Sequence, residues 1–351
     1  MDKEFLLELL NTRSPTGVEG ELTSVVEKYV GEIADDFKKD VLGNRIATLK
    51  SKCEGAKTLM LAAHSDEIGF IVSHIDSKGF IFFDKLGGHD DTMIAGRRVD
   101  ILTKNGIVKG ITGKKAIHLM TPEERKSVPK IENQWIDIGL DSFEEVSKKV
   151  RIGDSIVVDY SPVEISENRI VSKALDDKAG CYCIFDAFRK LVGKSLEANV
   201  YAVATSQEEI GTRGATTSAY ALNADVSLVV DVEHATDFPT VKVGTQSFVK
   251  LGGGVVISRG PNINPVVFEM LVDLAEKHNI KYQVNAEPRP TGTDARVIQM
   301  TRGGIAIGLL GIPLRYMHTP SEVCDYADLV ACSRLIEEFA LALKAGDSFE
   351  Y

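Results

Sequence analysis

Hydrophobic positions in the first and last parts of the chain follow two alternating patterns. Segments with apolar residues every three or four positions predict helices, and short continuous apolar runs between them predict buried strands. Strands that alternate with helices predict an α/β fold with a mostly parallel sheet covered by helices on both faces. The predicted helices are 3–10, 19–37, 178–192, 212–222, 264–279 and 327–345, and the predicted strands are 44–49, 58–63, 198–204, 226–230, 250–257 and 305–310.

The pattern changes between residues 72 and 163. Short alternating runs are separated there by Gly, Asp, Asn and Pro, with one helical segment at 142–149. Several short strands with frequent turns predict a small β-barrel or sandwich. We therefore expect an α/β domain made of residues 1–71 and 164–351, with an inserted β-barrel domain at 72–163.

Composition and charge limit the possible partners. The chain has 351 residues, 44% of them hydrophobic, which suffices for a large core. Its formal net charge is −10 and it has no Lys/Arg-rich block, which argues against nucleic acid or an anionic membrane as a partner. The acidic amphipathic start does not resemble a signal peptide, no long apolar run predicts a membrane span, and the five cysteines lack disulfide spacing. We expect a cytoplasmic protein with reduced thiols.

Residues of metal-ligand type follow short apolar runs in four separate segments. They are His64, Glu209, Asp231 and His318. Asp176 and Asp177 open a predicted helix and add a fifth candidate position. Function in parallel sheets sits at the carboxyl ends of the strands, so these side chains are expected to meet at one edge. Mixed His and carboxylate ligands there predict a paired divalent-metal site that activates water.

Each candidate also has an ordinary structural interpretation when it is taken alone. His64 and Asp66 could form a polar strand end, although a carboxylate beside a ligating His also fixes its ring. One residue of the Asp176–Asp177 pair could be a plain helix N-cap, although such a pair also suits a carboxylate that bridges two cations. His318 could be a loop histidine satisfied by hydrogen bonds.

The adjacent Glu208 and Glu209 could belong to a solvated acidic loop. If the strand before them continues, they point to opposite sides, so that one can bind a metal while the other acts as a general base. Asp231 ends a very apolar run, where an uncompensated charge is costly and a metal partner is favoured. Two divalent cations with three carboxylates keep a net positive charge, which would lower the pKa of a bridging water from about 15.7 toward neutrality.

Taken together, seven stretches resemble the tetrahedral dinuclear metallo-aminopeptidases, a family that includes glutamyl and deblocking aminopeptidases and some relatives labelled endoglucanases. The stretches are LGN (42–44), AAHSDEIGF (62–70), ALDDKAG (174–180), SQEEIGTRGA (206–215), VVDVEHATD (229–237), GTDA (292–295) and RYMHTPSEV (315–323). Their order and spacing match along nearly the whole chain.

The resemblance implies a role for each site residue. His64 and Asp231 would hold one metal ion, most simply Zn²⁺ or Co²⁺, and Glu209 and His318 would hold a second. Asp176 would bridge the two ions, next to Asp177 after a cis peptide. Glu208 would be the general base, and Asp66 would support His64.

The resemblance also implies an activity and an assembly. The protein would remove N-terminal residues from short peptides, and the inserted β domain would drive dimers that build a twelve-subunit tetrahedral shell. Members often have Arg after the Asp pair, where this chain has Lys178, so that a bidentate contact would be lost while the charge is kept. His118 in the insert could approach the site within an assembly.

Three other functions stay open at this point. An amidohydrolase acting on blocked amino acids would use the same metal chemistry. A glycoside hydrolase would need two carboxyls about 5–9.5 Å apart in a sugar cleft, and only one tryptophan, Trp135, could serve as a platform. A scaffold protein that keeps metal without catalysis would have no need of Glu208.

Overall fold

The computed structural model describes residues 1–239 and 247–351 of the chain. Within these residues the helices are α1 (Lys3–Asn11), α2 (Gly20–Val30), α3 (Phe143–Ser147), α4 (Leu175–Leu191), α5 (Arg213–Leu222), α6 (Pro265–Lys277), α7 (Ala295–Gln299) and α8 (Tyr326–Ala342). The strands in the same ranges are β1 (Asp36–Lys39), β2 (Arg45–Leu49), β3 (Lys57–His64), β4 (Gly69–Ile75), β5 (Ile81–Leu86), β6 (Arg98–Thr103), β7 (Gly106–Lys114), β8 (Gln134–Asp137), β9 (Ser155–Val158), β10 (Val163–Ser166), β11 (Arg169–Ser172), β12 (Ala198–Thr205), β13 (Val226–His234), β14 (Val255–Arg259), β15 (Tyr282–Ala286), β16 (Ala306–Leu314) and β17 (Glu322–Asp325).

In the described part of the chain, the largest sheet has eight strands in the order β1-β2-β12-β3-β13-β16-β14-β15. Its four central strands, β12, β3, β13 and β16, run parallel to their neighbours within this group. Antiparallel pairs flank them, with β2 on β12 and β14 on β16. The carboxyl ends of the four central strands therefore meet at one edge, which is where function sits in parallel sheets.

Two layers of helices enclose the sheet. Helices α4 and α8 pack on each other, while α5 packs on α7, and both α4 and α5 contact β3 and β12. The central strands are apolar along their length because they are covered on both faces, as β3 shows in the buried run from Leu59 to Ala63. Among the described residues, no helix combines the length and apolar character that crossing a bilayer requires.

Strands β4 to β9, all within the described range 1–239, form a closed barrel in the order β4-β5-β8-β7-β6-β9. The barrel has its own apolar core, separate from that of the large sheet. Side chains at its centre include Phe70, Val99, Ile101, Ile136 and Ile156. The predicted fold class, an α/β sheet with an inserted barrel, is confirmed, while the domain boundaries at residues 72 and 163 stay a prediction.

Several predicted elements differ from those observed. The helix predicted for 19–37 ends at Val30, and Phe37 instead lies in β1, where pairing with Ala47 of β2 overrides the helical spacing. The strand predicted for 250–257 begins only at Val255, because Gly252 and Gly254 adopt positive φ angles of 73° and 96° in a turn.

The strand predicted for 226–230 is longer than expected. It continues to His234, so that Asp231 and Glu233 lie within β13 and not beyond it. Its neighbour β16 likewise continues to Leu314, four residues past the predicted end, and pairs with β13 along its whole length. Strand β13 therefore continues for three residues past the predicted ligand Asp231.

Candidate metal centre

The five predicted metal ligands line one cavity of about 270 Å³. They are His64 at the end of β3, Asp176 at the start of α4, Glu209 after β12, Asp231 within β13 and His318 after β16. Ligand atoms of His64, Asp176 and Glu209 lie within 4.8 Å of one another, and so do those of His64, Asp177 and Asp231. The two groups share His64, so the sheet edge brings together two adjacent sets of donors.

Asp176 lies between the two histidines. One of its carboxylate oxygens is 3.0 Å from Nε2 of His64, and the other is 3.2 Å from Nε2 of His318. Burial lowers the pKa of His64, but hydrogen bonding to Asp176 and Asp66, together with the charges of the nearby acids, outweighs this and raises the pKa well above its ordinary value. Hydrogen bonds with Asp176 and Glu209 raise the pKa of His318 to about 11. Both imidazoles therefore face carboxylates that would also stabilise a bound cation.

Asp177 follows Asp176 through a cis peptide bond and is fully buried. Its carboxylate accepts hydrogen bonds from the backbone N–H of His64 at 3.2 Å and of Gly180 at 3.0 Å. These contacts fix the end of β3 to the start of α4, so that the predicted ligands His64 and Asp176 are held in one geometry.

Asp66 organises the turn that carries both glutamates. Strand β12 ends at Thr205, so the prediction that Glu208 and Glu209 alternate along an extended strand is wrong. Instead, Asp66 accepts hydrogen bonds from the backbone N–H of Glu208 at 2.8 Å and of Glu209 at 3.1 Å, and from the Thr16 hydroxyl at 2.9 Å. Side chain–backbone bonds, and not strand geometry, set the direction of the two glutamates.

Asp66 contacts His64 through its backbone carbonyl group, whereas the sequence suggested a contact through its carboxylate. Nδ1 of His64 lies 3.0 Å from the backbone carbonyl oxygen of Asp66 and 3.6 Å from its carboxylate. A carbonyl partner at Nδ1 leaves Nε2 free to face the cavity, which is the tautomer that a ligating histidine needs.

The cavity concentrates negative charge. Burial raises the pKa of four carboxyl groups, and repulsion from neighbouring acids adds to it; they are Asp177, Asp231, Glu208 and Glu209. For Glu208 the pKa rises to about 9. Buried carboxylates at this density are costly unless cations compensate them. The donors, imidazole nitrogens and carboxylate oxygens, therefore fit divalent metal ions.

Two buried carboxyl groups next to the ligands were not singled out from the sequence. Glu322 accepts hydrogen bonds from the backbone N–H of Asp176 at 3.1 Å and of His318 at 2.8 Å. It thereby holds His318, whose φ of 60° is in the left-handed region, in place. Asp294, which the sequence shows only as part of a turn, accepts a hydrogen bond from the Thr205 hydroxyl at 2.6 Å.

Lys178 stands where members of the family often have Arg, and it follows the Asp176–Asp177 pair in α4. Its ammonium group is fully buried and donates to Glu67 at 3.0 Å and to the Thr12 carbonyl at 2.9 Å. Lys173 contacts the other oxygen of Glu67. Burial opposes ionisation of Glu67, but the two ammonium groups outweigh it and lower its pKa to about 2. Lys178 contacts only one oxygen of Glu67, and Lys173 contacts the other, so the two lysines together replace the bidentate contact that an Arg could make.

The barrel also reaches the site. Gly87 and Gly88, just after β5, lie against the side chains of Glu209 and His318. His118, by contrast, is exposed on the barrel and does not line the cavity of its own chain. The wall near Glu209 and His318 is thus built from both parts of the molecule.

Comparison with known proteins gives consistent matches along the chain. The model of the family described as M42 glutamyl aminopeptidase matches residues 43–335. A lysyl aminopeptidase of Pyrococcus furiosus is 34% identical, and the match covers 99% of this chain and 99% of that protein.

Solved structures agree with this. An aminopeptidase from the archaeon Desulfurococcus kamchatkensis is 36% identical with a TM-score of 0.91, over 97% of this chain and 95% of that one. The TET1 peptidase of Pyrococcus horikoshii, described as able to assemble into a tetrahedron or a large octahedral shell, is 28% identical with a TM-score of 0.86, over 97% and 99% of the two chains. The resemblance seen in the sequence is confirmed. The chain belongs to the M42 glutamyl aminopeptidase family, and it is a metal-dependent hydrolase of the aminopeptidase class.

Proposed function

We propose that this aminopeptidase removes N-terminal residues from short peptides with two divalent cations, Zn²⁺ or Co²⁺. The observation that carries the proposal is the position of Asp176, whose two carboxylate oxygens face His64 on one side and His318 on the other. Asp231 completes the donor set on the side of His64, and Glu209 completes it on the side of His318. Asp176 would therefore be shared between the ions.

Bound cations would supply Lewis acidity, which activates water and polarises the scissile carbonyl. The protein's own contribution is to hold the donors rigidly and to move protons. Glu208 lines the cavity beside the ligands, and its backbone is fixed by Asp66. We assign to Glu208 the transfer of a proton from the attacking water to the leaving amine.

A panel of chromogenic aminoacyl amides tests this function. We expect hydrolysis of substrates with a free α-amino group, no hydrolysis of N-acetylated versions, loss of activity after chelation, and recovery when Zn²⁺ or Co²⁺ is added. Preferential cleavage of the N-acetylated substrates would instead indicate an amidohydrolase. If none of the substrates is hydrolysed, with or without chelation, metal-dependent peptidase activity is rejected and a glycoside hydrolase becomes the next function to test.

We also propose that the barrel makes dimers that build a twelve-subunit shell. The similarity to the TET1 peptidase supports this, as do the exposed apolar side chains Ile117, Leu119 and Val128 on the barrel. Light scattering should give a particle of twelve times the 38.3 kDa chain mass.

Substitution within the apolar surface should break this particle into smaller species. Leu119→Asp is the test, and Val41→Asp, at an exposed position outside the barrel, is the control that should leave the mass unchanged. A wild-type monomer would contradict the shell, and a Leu119→Asp variant of full mass would contradict the role of this surface.

We propose a cytoplasmic location as well. All five cysteines are unpaired, and four of them are buried, as expected in a reducing compartment. Fractionation of the source cells would contradict this if the protein were recovered outside the cytoplasm.

A further inference from the structure

The cavity extends beyond the metal ligands to a second pair of carboxylates. Glu233 follows Asp231 by two residues in β13, so both side chains point to the same side of the strand, about 7 Å apart along it. Glu287, just after β15, lines the same cavity. Neither residue is needed to hold the metals proposed above, so their placement calls for another explanation.

One amide group ties these two carboxylates together. The side-chain nitrogen of Asn285 donates to Glu233 at 2.9 Å and to Glu287 at 2.6 Å. Within the described residues, the second oxygen of Glu233 accepts one hydrogen bond, from the backbone N–H of His234 at 3.0 Å. Among the residues that the structure describes, no Lys or Arg lines this cavity. The two carboxyl groups therefore face the cavity without a Lys or Arg partner from the described residues.

The neighbouring strand leaves space for this arrangement. Gly311 of β16 lies beside β13, and a Cβ atom at this position would be only 2.7 Å from the Cβ of Glu233. Any larger residue at Gly311 would displace Glu233 from the cavity wall.

A buried hydroxyl group in the same cavity has no hydrogen-bond partner in the part of the chain that the structure describes. Ser258, in β14, is 1% exposed and lines the cavity, and its Oγ makes no hydrogen bond within the described residues. Buried polar groups are nearly always hydrogen-bonded, so an unpaired hydroxyl facing a cavity points to a polar group of a bound molecule.

The rest of the cavity wall is mixed, with the polar residues Thr291 and Thr293 and the apolar residues Leu309 and Met317. Leu309 and Met317 give part of this wall an apolar surface. A side chain with an apolar stem and a cationic tip would pack its stem against this wall and place its charge at the carboxylates. An acidic side chain would be repelled, and an aliphatic one would bury the carboxylates without a partner.

We propose that this cavity selects peptides whose N-terminal residue is lysine or arginine, with Glu233 as the principal carboxylate and Glu287 as the second. The proposal rests on the aminopeptidase function proposed above. With the α-amino group held near the metal ligands, the substrate side chain would run along β13 from Asp231 toward Glu233. Cleavage after an acidic residue, by contrast, would be expected to use a Lys or Arg, and neither lines the described cavity wall.

The kinetic test compares lysyl, arginyl, leucyl and glutamyl anilides. We expect the lysyl and arginyl substrates to have the highest kcat/KM. Glu233→Gln should lower their kcat/KM by roughly 10- to 100-fold, the contribution of one hydrogen bond to a charged group, and leave the leucyl substrate nearly unchanged. Glu287→Gln should have a smaller effect of the same kind. Glu269→Gln, at an exposed glutamate on α6, is the control and should change nothing.

Binding provides a second measurement that does not need turnover. Calorimetry on the chelated protein should show tighter binding of lysinamide than of norleucinamide, which has the same chain without the charge, and Glu233→Gln should remove the difference. If the anilides are all inert but this difference persists, the aminopeptidase function fails and the cationic pocket stands. A preference for leucyl or glutamyl substrates in an active enzyme, or an equal loss on all substrates in Glu233→Gln, overturns the pocket.

Discussion

Replacing Glu208 with glutamine is expected to reduce kcat by about 10²–10⁴-fold while the metal content stays at the wild-type level. Glutamine keeps the size of the side chain and removes its ability to take a proton. The backbone of residue 208 is held by Asp66 through its N–H group, so the substitution leaves the turn that also carries Glu209 in place. The loss should therefore fall on proton transfer alone.

The measurement pairs kcat on a lysyl or leucyl anilide with metal analysis by mass spectrometry. Burial, together with the neighbouring acids Asp231 and Asp294, raises the pKa of Glu208 to about 9, and bound cations oppose this by favouring the carboxylate. Glu54→Gln, an exposed substitution far along the chain, is the matched control. A Glu208→Gln variant that keeps its turnover would remove Glu208 from the mechanism.

Replacing Asp231 with asparagine should have opposite effects on the two states of the protein. Loss of a direct ligand should weaken metal binding by more than about 100-fold, since even the partners of ligands contribute 10- to 100-fold. Activity should fall with the metal content. In the chelated protein, however, the same substitution should raise the melting temperature.

The sign follows from the environment of Asp231. Burial and then the nearby carboxylates raise its pKa well above the ordinary value. An acid whose pKa is higher in the folded protein than in the unfolded chain opposes folding once the pH exceeds its unfolded value of about 4. Asparagine removes this cost near neutral pH. Metal ions stabilise the folded wild type by an amount that grows with the logarithm of their affinity, so the variant should lose most of that gain.

Thermal unfolding of chelated and Zn²⁺-loaded protein measures both effects. A suitable control is Asp328→Asn, which changes another buried carboxyl whose pKa burial raises to about 7. Asp328 accepts hydrogen bonds from Gly252 and Gly254 and lies outside the cavity, so its substitution should not alter the response to Zn²⁺. An Asp231→Asn protein that binds metal as the wild type does would contradict the assignment.

The sequence was sufficient for the central strands of the large sheet and for the meeting of the predicted ligands at one edge. Period and apolar runs located the central strands, and the rule that parallel strands present their carboxyl ends at one edge placed His64 near Asp231. The individual roles came from the resemblance to a family, because each residue alone also fits an ordinary structural position.

Contacts between segments that are distant in the chain could not be predicted from the sequence. The direction of Glu208 and Glu209 depends on Asp66, about 140 residues earlier in the chain, which is a side-chain bond that no periodicity reports. Glu233 lies past residue 230, the predicted end of β13, and its place in the strand depends on pairing with β16. Glu322 supports His318 through its backbone, and nothing in the local pattern marks such a residue.

The closed barrel has a consequence for how copies can meet. Strands β4 to β9 pair in a ring, so this part of the chain offers no free strand edge. An open edge can recruit further strands without limit, which is the route to aggregation. Association through this barrel must instead use side chains on its outer surface, and contacts of that kind can close at a fixed number of subunits. A shell of the proposed kind could therefore hold many barrels close together without their growing into a fibre by strand addition.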